Sequence, residues 1–312
     1  MKISTLIEGI DETSFSLEVY PPKIMPINTS PSIQNQISSI FETIEQLISY
    51  KPLFVSVTYN PIGKTKLTSI PIAAIIKQRF NVEVVAHLTG ISTPKEEVHR
   101  ILDLIDYFDI NNVLALRGDL PKEIKSNNNS FFEMQYASEL VEEIKQHKYL
   151  NMGIGVACYP EGHMECKNEY GTRDFNKDLY HLKMKVEKGV DFAITQLFYD
   201  NKYFYSFIEN ARKMGISIPI IPGIMPILNY KNIQMITQLS GAKIPNFLKQ
   251  KLDNNQEDPE EIKAIGIEHA INQCKGLIGK VPCIHFYTMD KWESIQYILE
   301  ELSEIKKPLL YQ

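Results

Sequence analysis

"FSLEVYPP", residues 15–22, runs through alternating apolar and polar positions, sets Glu18 among them and stops on Pro21 and Pro22. Alternation with period two is the pattern of a strand, and a proline pair cannot continue a ladder because it has no N–H to donate. The stretch bears directly on the fold. An open, doubly wound sheet places a glycine-rich turn after its first strand, and here the prolines occupy that turn. That counts against the open sheet and leaves the carboxylate at the strand end to be explained.

Further strand-like runs lie at 53–59 "LFVSVTY", 82–89 "VEVVAHLT", 112–118 "NVLALRG", 151–159 "NMGIGVACY", 191–199 "DFAITQLFY", 217–224 "SIPIIPGI" and 283–288 "CIHFYT". Each is followed by a segment of helical periodicity, such as "TPKEEVHRILDLIDYF" or "KWESIQYILEELSEIKK". Thr93, with Pro94 and Glu96 behind it, reads as a helix start, and Gly189, Gly215 and Gly241 read as helix stops. Strand-then-helix units repeated about eight times in about 300 residues predict an α/β fold, a (β/α)8 TIM barrel. The doubly wound open sheet is the alternative. Residues 246–279 read as an extra helical insert before strand eight. "KSNNNS" at 125–130 reads as a mobile loop. No linker divides the chain, so 1–312 is expected to be one (β/α)8 domain.

Composition narrows the function. The 312 residues are 44% hydrophobic and 23% charged, as expected of a soluble globular protein. With 33 basic against 38 acidic residues the net charge is −5, which argues against nucleic acid as a partner. The four cysteines, Cys158, Cys166, Cys274 and Cys283, form no CxxC pair, which suits a reducing, cytoplasmic setting. No apolar stretch approaches the roughly 18 residues of a membrane span, and the acids of "MKISTLIEGIDETSF" interrupt any secretory leader. His163 and Cys166 have no second ligand pair at metal spacing, so no metal is expected.

In a barrel the chemistry gathers at the C-terminal ends of the strands. Those ends carry Glu18, Thr58 and Tyr59, His87 and Thr89, Arg117 and Asp119, Tyr159 with Glu161 and His163, Gln196, and Tyr287 with Thr288. The seventh carries "PGIMP", whose glycine would let a flat ligand approach the backbone. Taken singly, each has a plain structural reading: a solvated glutamate, a satisfied histidine, an Arg117–Asp119 surface pair. A shared mouth is what would unite them.

Residue for residue, the chain resembles a known family. "SLEVYPPK", "FVSVTY", "AHLT", "ALRGDLP", "YASELV", "YPEGH", "AITQLFYD", "IIPGIMP" and "HFYT" stand in the order and spacing of bacterial methylenetetrahydrofolate reductases, which are flavin-dependent (β/α)8 barrels. The likeness runs from Phe15 to the last helix and resembles the short bacterial form without a regulatory domain. It implies bound FAD, NADH or NADPH as hydride donor, and ping-pong reduction of 5,10-methylenetetrahydrofolate to 5-methyltetrahydrofolate, feeding methionine synthesis. It also implies a homo-oligomer. By the same resemblance Glu18 is the general acid, Asp119 the acid beside the flavin pyrimidine and the pterin, and Gln196 the amide that meets nicotinamide and folate in turn. Cofactor contacts carry over to Thr58, Tyr59, His87, Arg117, Gly118, Tyr136, Ala137, Tyr159, His163, Asp178, His181 and Lys185, and substrate contacts to Thr58, Asn232, Tyr287 and Lys291.

Physical chemistry suits these roles. The methylene bridge must open to an iminium ion before it accepts hydride, and opening needs a proton on the departing amine. A glutamate walled by Phe15, Tyr20 and two prolines is a place where desolvation would raise a pKa. Asp119, beside Arg117, is expected to stay ionised and to favour passing hydride onward. Departures from the family pattern are "NPIGKTKLTSI" after the second strand, His181 for asparagine, Met184 for a basic residue, Asn232 and Ile236 for larger residues, and Lys291 for an arginine. Lysine keeps the charge at 291 but loses the bidentate fork. A related flavin barrel with another pterin or one-carbon substrate, and a non-catalytic flavin- or folate-binding barrel, are the other readings.

Overall fold

The computed structural model describes residues 1–22, 33–59, 68–119, 132–147, 151–289, 291–305 and 308–309. The polar runs at 60–67 and 125–130 lie outside them. Among the described residues nine parallel strands form one sheet. They are β1 (Ser14–Val19), β2 (Val55–Val57), β3 (Val84–Thr89), β4 (Asn112–Leu116), β5 (Gly153–Cys158), β6 (Phe192–Thr195), β7 (Ile220–Ile221), β8 (Gly223–Ile224) and β9 (Cys283–Tyr287). Their order, β7-β6-β5-β4-β3-β2-β1-β9-β8, follows the chain except at one seam.

That seam is Pro222. It divides one expected strand into two pieces: β7 pairs with β6 through Ala193↔Ile220, while β8 pairs with β9 through Gly223↔His285. A proline cannot donate to a ladder, yet its carbonyl still accepts from His285 N at 2.8 Å. The two pieces therefore join the sheet's ends, and the expected eight staves close into a TIM barrel.

Alternation sorts the strand residues onto two faces. Leu17, Val19, Val55, Val57, Val84, Ala86 and Leu88 belong to the main apolar cluster shared with the helices. Phe54, Val85, Leu114, Phe192, Ile221 and Cys283 form a separate cluster with Ile3. These are the inward residues near the N-terminal end of the barrel. On β9 the inward face carries Cys283, then His285 and Tyr287, so the interior changes from apolar to polar along a single strand, and the matching face of β1 carries Ser14, Ser16 and Glu18.

The lower end is stoppered by α1 (Ile3–Glu8), a helix the sequence pattern does not announce. Ile3 is fully buried, and its backbone N–H donates to Asn112 Oδ1 at 2.8 Å while Asn112 Nδ2 donates to the Met1 carbonyl at 2.8 Å. The ring helices are α2 (Ile33–Leu47), α3 (Ser69–Phe80), α4 (Lys95–Tyr107), α5 (Ala137–Gln146), α6 (Phe175–Glu187) and α7 (Asn201–Lys213). After β8 come α8 (Tyr230–Ser240), α9 (Asn246–Asn254) and α10 (Pro259–Leu277), and α11 (Trp292–Leu302) follows β9.

The extra helical material before the last strand is present, with its parts distributed differently from the sequence reading. The helix that packs between α7 and α11 is α10, whose Ala270, Ile271, Cys274 and Leu277 join the main core. The additional elements are α8 and α9, which bury Ile233, Leu248 and Leu252 with Leu197, Met225 and Ile227 in a small cluster of their own. Three helix starts are capped by acids: Asp174, Asp200 and Asp258 accept from Lys177, Lys202 and Glu260 N–H groups. At α4 the expected cap is displaced. Pro94 holds the cap position without a side-chain bond, and Glu133 accepts from Lys95 N at 2.7 Å in place of Thr93.

Candidate functional site

The polar upper half of the barrel opens into a cavity of about 1180 Å³. Its floor is built by β1, β3 and β9. Glu18 is only 6% exposed, with Oε2 3.7 Å from His87 Nε2 and 3.9 Å from His285 Nε2. His285 is fixed from below: Ser16 Oγ lies 2.8 Å from its Nδ1, and its ring stacks on Phe54 at 5.7 Å. Burial works to raise the Glu18 pKa, but His285 and then His87 pull against it, and the net direction is down. This reverses the expectation that desolvation alone sets the group. His87 is itself pushed down to about 4, chiefly by burial, with the Glu18 charge opposing.

One wall comes from the loops after β3, β4 and β5 and from α6. Gly118 has φ +83°, and a Cβ there would meet Thr89 Cβ at 2.9 Å, so only glycine lets this loop lie against β3. Asp119 is exposed at the rim. Arg117 pairs with Glu165, not with Asp119 as the RGD spacing suggested. Tyr159 and His163 meet edge to face at 4.5 Å, and Asp178 Oδ2 accepts from His163 N at 3.1 Å. Burial pushes the Asp178 carboxyl up, with Lys185 and His163 opposing. Lys185 Nζ donates to the Ala157 carbonyl at 2.8 Å, and burial pulls its pKa down.

The opposite side holds Gln196, Tyr287, Met225 and Ile236. The Gln196 side chain folds over its own loop, with Oε1 accepting from Leu197 N at 2.9 Å. Tyr287 Oη donates to the Thr195 carbonyl at 2.7 Å. That bond explains Gly223 differently from the sequence reading. A Cβ on Gly223 would lie 2.5 Å from both the Thr195 oxygen and the Tyr287 ring, so the glycine makes room for Tyr287, not for a ligand.

Several buried polar atoms of the cavity residues have no hydrogen-bond partner: Tyr59 Oη, His87 Nε2, Thr89 Oγ1 and Arg117 Nε. Buried polar atoms are ordinarily satisfied, so a wall that leaves these free suits a ligand rich in heteroatoms.

Comparison with known proteins agrees with this geometry. Residues 2–303 match the family model described as Methylenetetrahydrofolate reductase. A bacterial relative, 5,10-methylenetetrahydrofolate reductase of Pectobacterium carotovorum, is 32% identical over 93% of this chain and 90% of its own length. The chain belongs to the methylenetetrahydrofolate reductase family. Methylenetetrahydrofolate reductase (NADH) 1 of Arabidopsis thaliana is 34% identical over 98% of this chain and 51% of its own. A probable methylenetetrahydrofolate reductase (NADPH) of Caenorhabditis elegans is 32% identical over 94% and 43%. The chain thus spans about half the length of most of these relatives. An uncharacterized Clostridium thermocellum protein described as binding two copies of 5-methyl-5,6,7,8-tetrahydrofolic acid superposes with a TM-score of 0.63, covering 96% of this chain and 97% of that one. At 15% identity that likeness concerns the fold alone.

Of the residues that the reductase resemblance marked, Glu18, Tyr59, His87, Arg117, Gly118, Asp119, Tyr136, Ala137, Tyr159, His163, Asp178, His181, Lys185, Gln196 and Tyr287 line the one cavity. Thr58, Asn232 and Lys291 do not. The Thr58 backbone bonds Val19 and Ser69, Asn232 sits on the exposed first turn of α8, and Lys291 precedes α11 with its N–H on the Thr288 carbonyl. His285 was missed, although it stands two residues before Tyr287 on the same inward face of β9, a signal that period-two reading of "HFYT" contains. Glu165 was also passed over, because its partner Arg117 lies 48 residues away, and Cys166, read only against His163, meets His181 15 residues further on.

Proposed function

We propose that this chain reduces 5,10-methylenetetrahydrofolate to 5-methyltetrahydrofolate, with FAD held in the cavity and NADH or NADPH as the hydride source. The observation that carries the reading is the meeting of Glu18, Asp119 and Gln196 in one hollow beneath a wall of unpartnered polar atoms, in a chain of this family. The wall fits a dinucleotide: Tyr59, Thr89 and His87 present hydroxyls and an imidazole, and Arg117, His163 and Lys185 supply donors and positive charge for a diphosphate. When bound, FAD supplies a two-electron carrier that can take hydride from one flat ring and give it to another.

The protein's own part is proton transfer and orientation. Glu18 Oε2 delivers a proton to the amine nitrogen that leaves as the methylene bridge opens. His285, with His87 beside it, holds the carboxyl in place, and His285 is the largest of the influences that lower its pKa. A ring system laid over Glu18 removes its remaining solvent and strengthens burial, the influence that raises its pKa toward the donating form. Asp119, at the exposed rim, offers acceptor oxygens to the amino groups of a pterin. Gln196, held by Leu197 N, presents its amide –NH2 to whichever flat ring enters. Because one hollow serves both substrates, the two half-reactions alternate.

Anaerobic titration of the purified protein tests this. NADH should bleach the flavin absorbance, and methylenetetrahydrofolate should restore it. A protein that takes up no FAD, or whose reduced flavin ignores the folate, overturns the proposal.

A further inference from the structure

The cavity wall brings together three side chains whose chemistry the proposed reaction does not use as a set. Cys166, from the loop after β5, lies with its Sγ 4.0 Å from His181 Nδ1, and the ligand atoms of Cys166, Asp178 and His181 all fall within 4.8 Å of one another. We propose that Cys166, Asp178 and His181 form a site for a soft divalent cation of the zinc type, with three protein ligands and a water in the fourth position.

The geometry suits that ion. At tetrahedral angles a zinc–sulfur bond of about 2.3 Å and a zinc–nitrogen bond of about 2.0 Å span roughly 3.5 Å, so the observed thiol–imidazole gap closes with a small side-chain rotation. The ligands stand on separately fixed pieces of backbone. Asp178 and His181 are three residues apart on one face of α6, whose start is capped by Asp174. The Cys166 N–H donates to the His163 carbonyl at 3.1 Å, and its own carbonyl accepts from Asp174 N at 2.8 Å, which ties the loop to the start of that helix. Asp178 spends Oδ2 on His163 N, leaving Oδ1 as a ligand.

Selectivity follows from the neighbours. The positive charges of Lys185 and Lys177 face this group and oppose any cation, so an ion held by the single carboxylate alone gains little. A thiolate and an imidazole favour zinc, cobalt or cadmium over magnesium or calcium. Coordination replaces the Cys166 S–H bond by a sulfur–metal bond and releases that proton to solvent. Asp178 and His181 also lie on the wall assigned above to FAD. Resting on that assignment, metal and flavin compete, and the ion inhibits by keeping flavin out.

Cobalt(II) is the probe. The full chain, stripped of flavin and checked for fold by circular dichroism, is titrated with cobalt chloride. Expected are a near-ultraviolet thiolate-to-cobalt band and intense visible bands of a four-coordinate site. These should vanish in Cys166→Ser, persist in Cys158→Ser, and require about 10–100-fold more cobalt in His181→Asn. A spectrum of hydrated cobalt alone, or bands that survive undiminished in Cys166→Ser, overturns the site. If Cys166→Ser does not fold, an unchanged titration in His181→Asn does the same. Saturating FAD should abolish the bands; bands that survive it leave the metal site standing and remove the flavin from this wall.

Discussion

The two ends of the barrel are built from the same strands and treat polar atoms in opposite ways. At the lower end Asn112 uses both halves of its amide on the chain entering α1, and Ile3 fills the space among Phe54, Leu114 and Phe192. At the upper end Tyr59, His87, Thr89 and Arg117 keep buried polar atoms without a hydrogen bond. An unmade buried hydrogen bond costs about 1–3 kcal/mol, so the mouth is held in place by stability generated elsewhere. The difference separates residues that hold the ring closed from residues that wait for a ligand.

Four substitutions would break or sharpen that contrast. The largest effect should come from Glu18→Gln, which removes the proposed proton donor: folate reduction should fall by about 10²–10⁴-fold while NADH still bleaches the flavin. Equal loss of both half-reactions in stopped-flow traces would assign Glu18 to flavin binding. Next, Ile3→Ala at the opposite end should lower unfolding free energy by about 2–5 kcal/mol in a urea titration and leave KM for folate unchanged. A change in KM instead would show that the two ends are coupled.

The third concerns pH. With its pKa pushed down to about 4, His87 is neutral in the folded protein where the unfolded chain would titrate near 6.5. The unfolded state therefore binds more protons between those values, and stability falls as pH drops through that window, by up to about 3 kcal/mol. Glu18, whose folded pKa is lowered, loses its contribution in the same direction as pH falls further. Melting His87→Gln across that range should show a shallower acid slope; an unaltered slope would mean that the histidine's burial is compensated. The smallest effect is expected from Thr89→Val, which deletes a buried hydroxyl without a partner. Its Tm should rise by the equivalent of about 1 kcal/mol, with weaker FAD retention.

The strands were legible because their apolar runs are local, and the candidate site because it lies at the ends of those runs. Glu18, His87, Gln196 and Tyr287 were legible as strand-end residues before any coordinates. What escaped depends on distance along the chain. The Arg117–Glu165 pair, the Cys166–His181 contact and the identity of α10 as the ring helix are settled by packing between distant segments. Lys291 stands after the last strand where the resemblance places it, and the start of α11 sets it outside the cavity lining. The Glu18 balance was half visible. Its apolar flanks are local, but His285 reaches it only because β9 lies beside β1.

Because α8 and α9 bury their apolar residues with Leu197, Met225 and Ile227 in a patch separate from the main core, that corner of the molecule is expected to melt on its own. Warming or mild denaturant will loosen it ahead of the staves. Its amides should trade hydrogen for deuterium sooner than those of β3 or β4, and a protease should nick it while the ring is still intact.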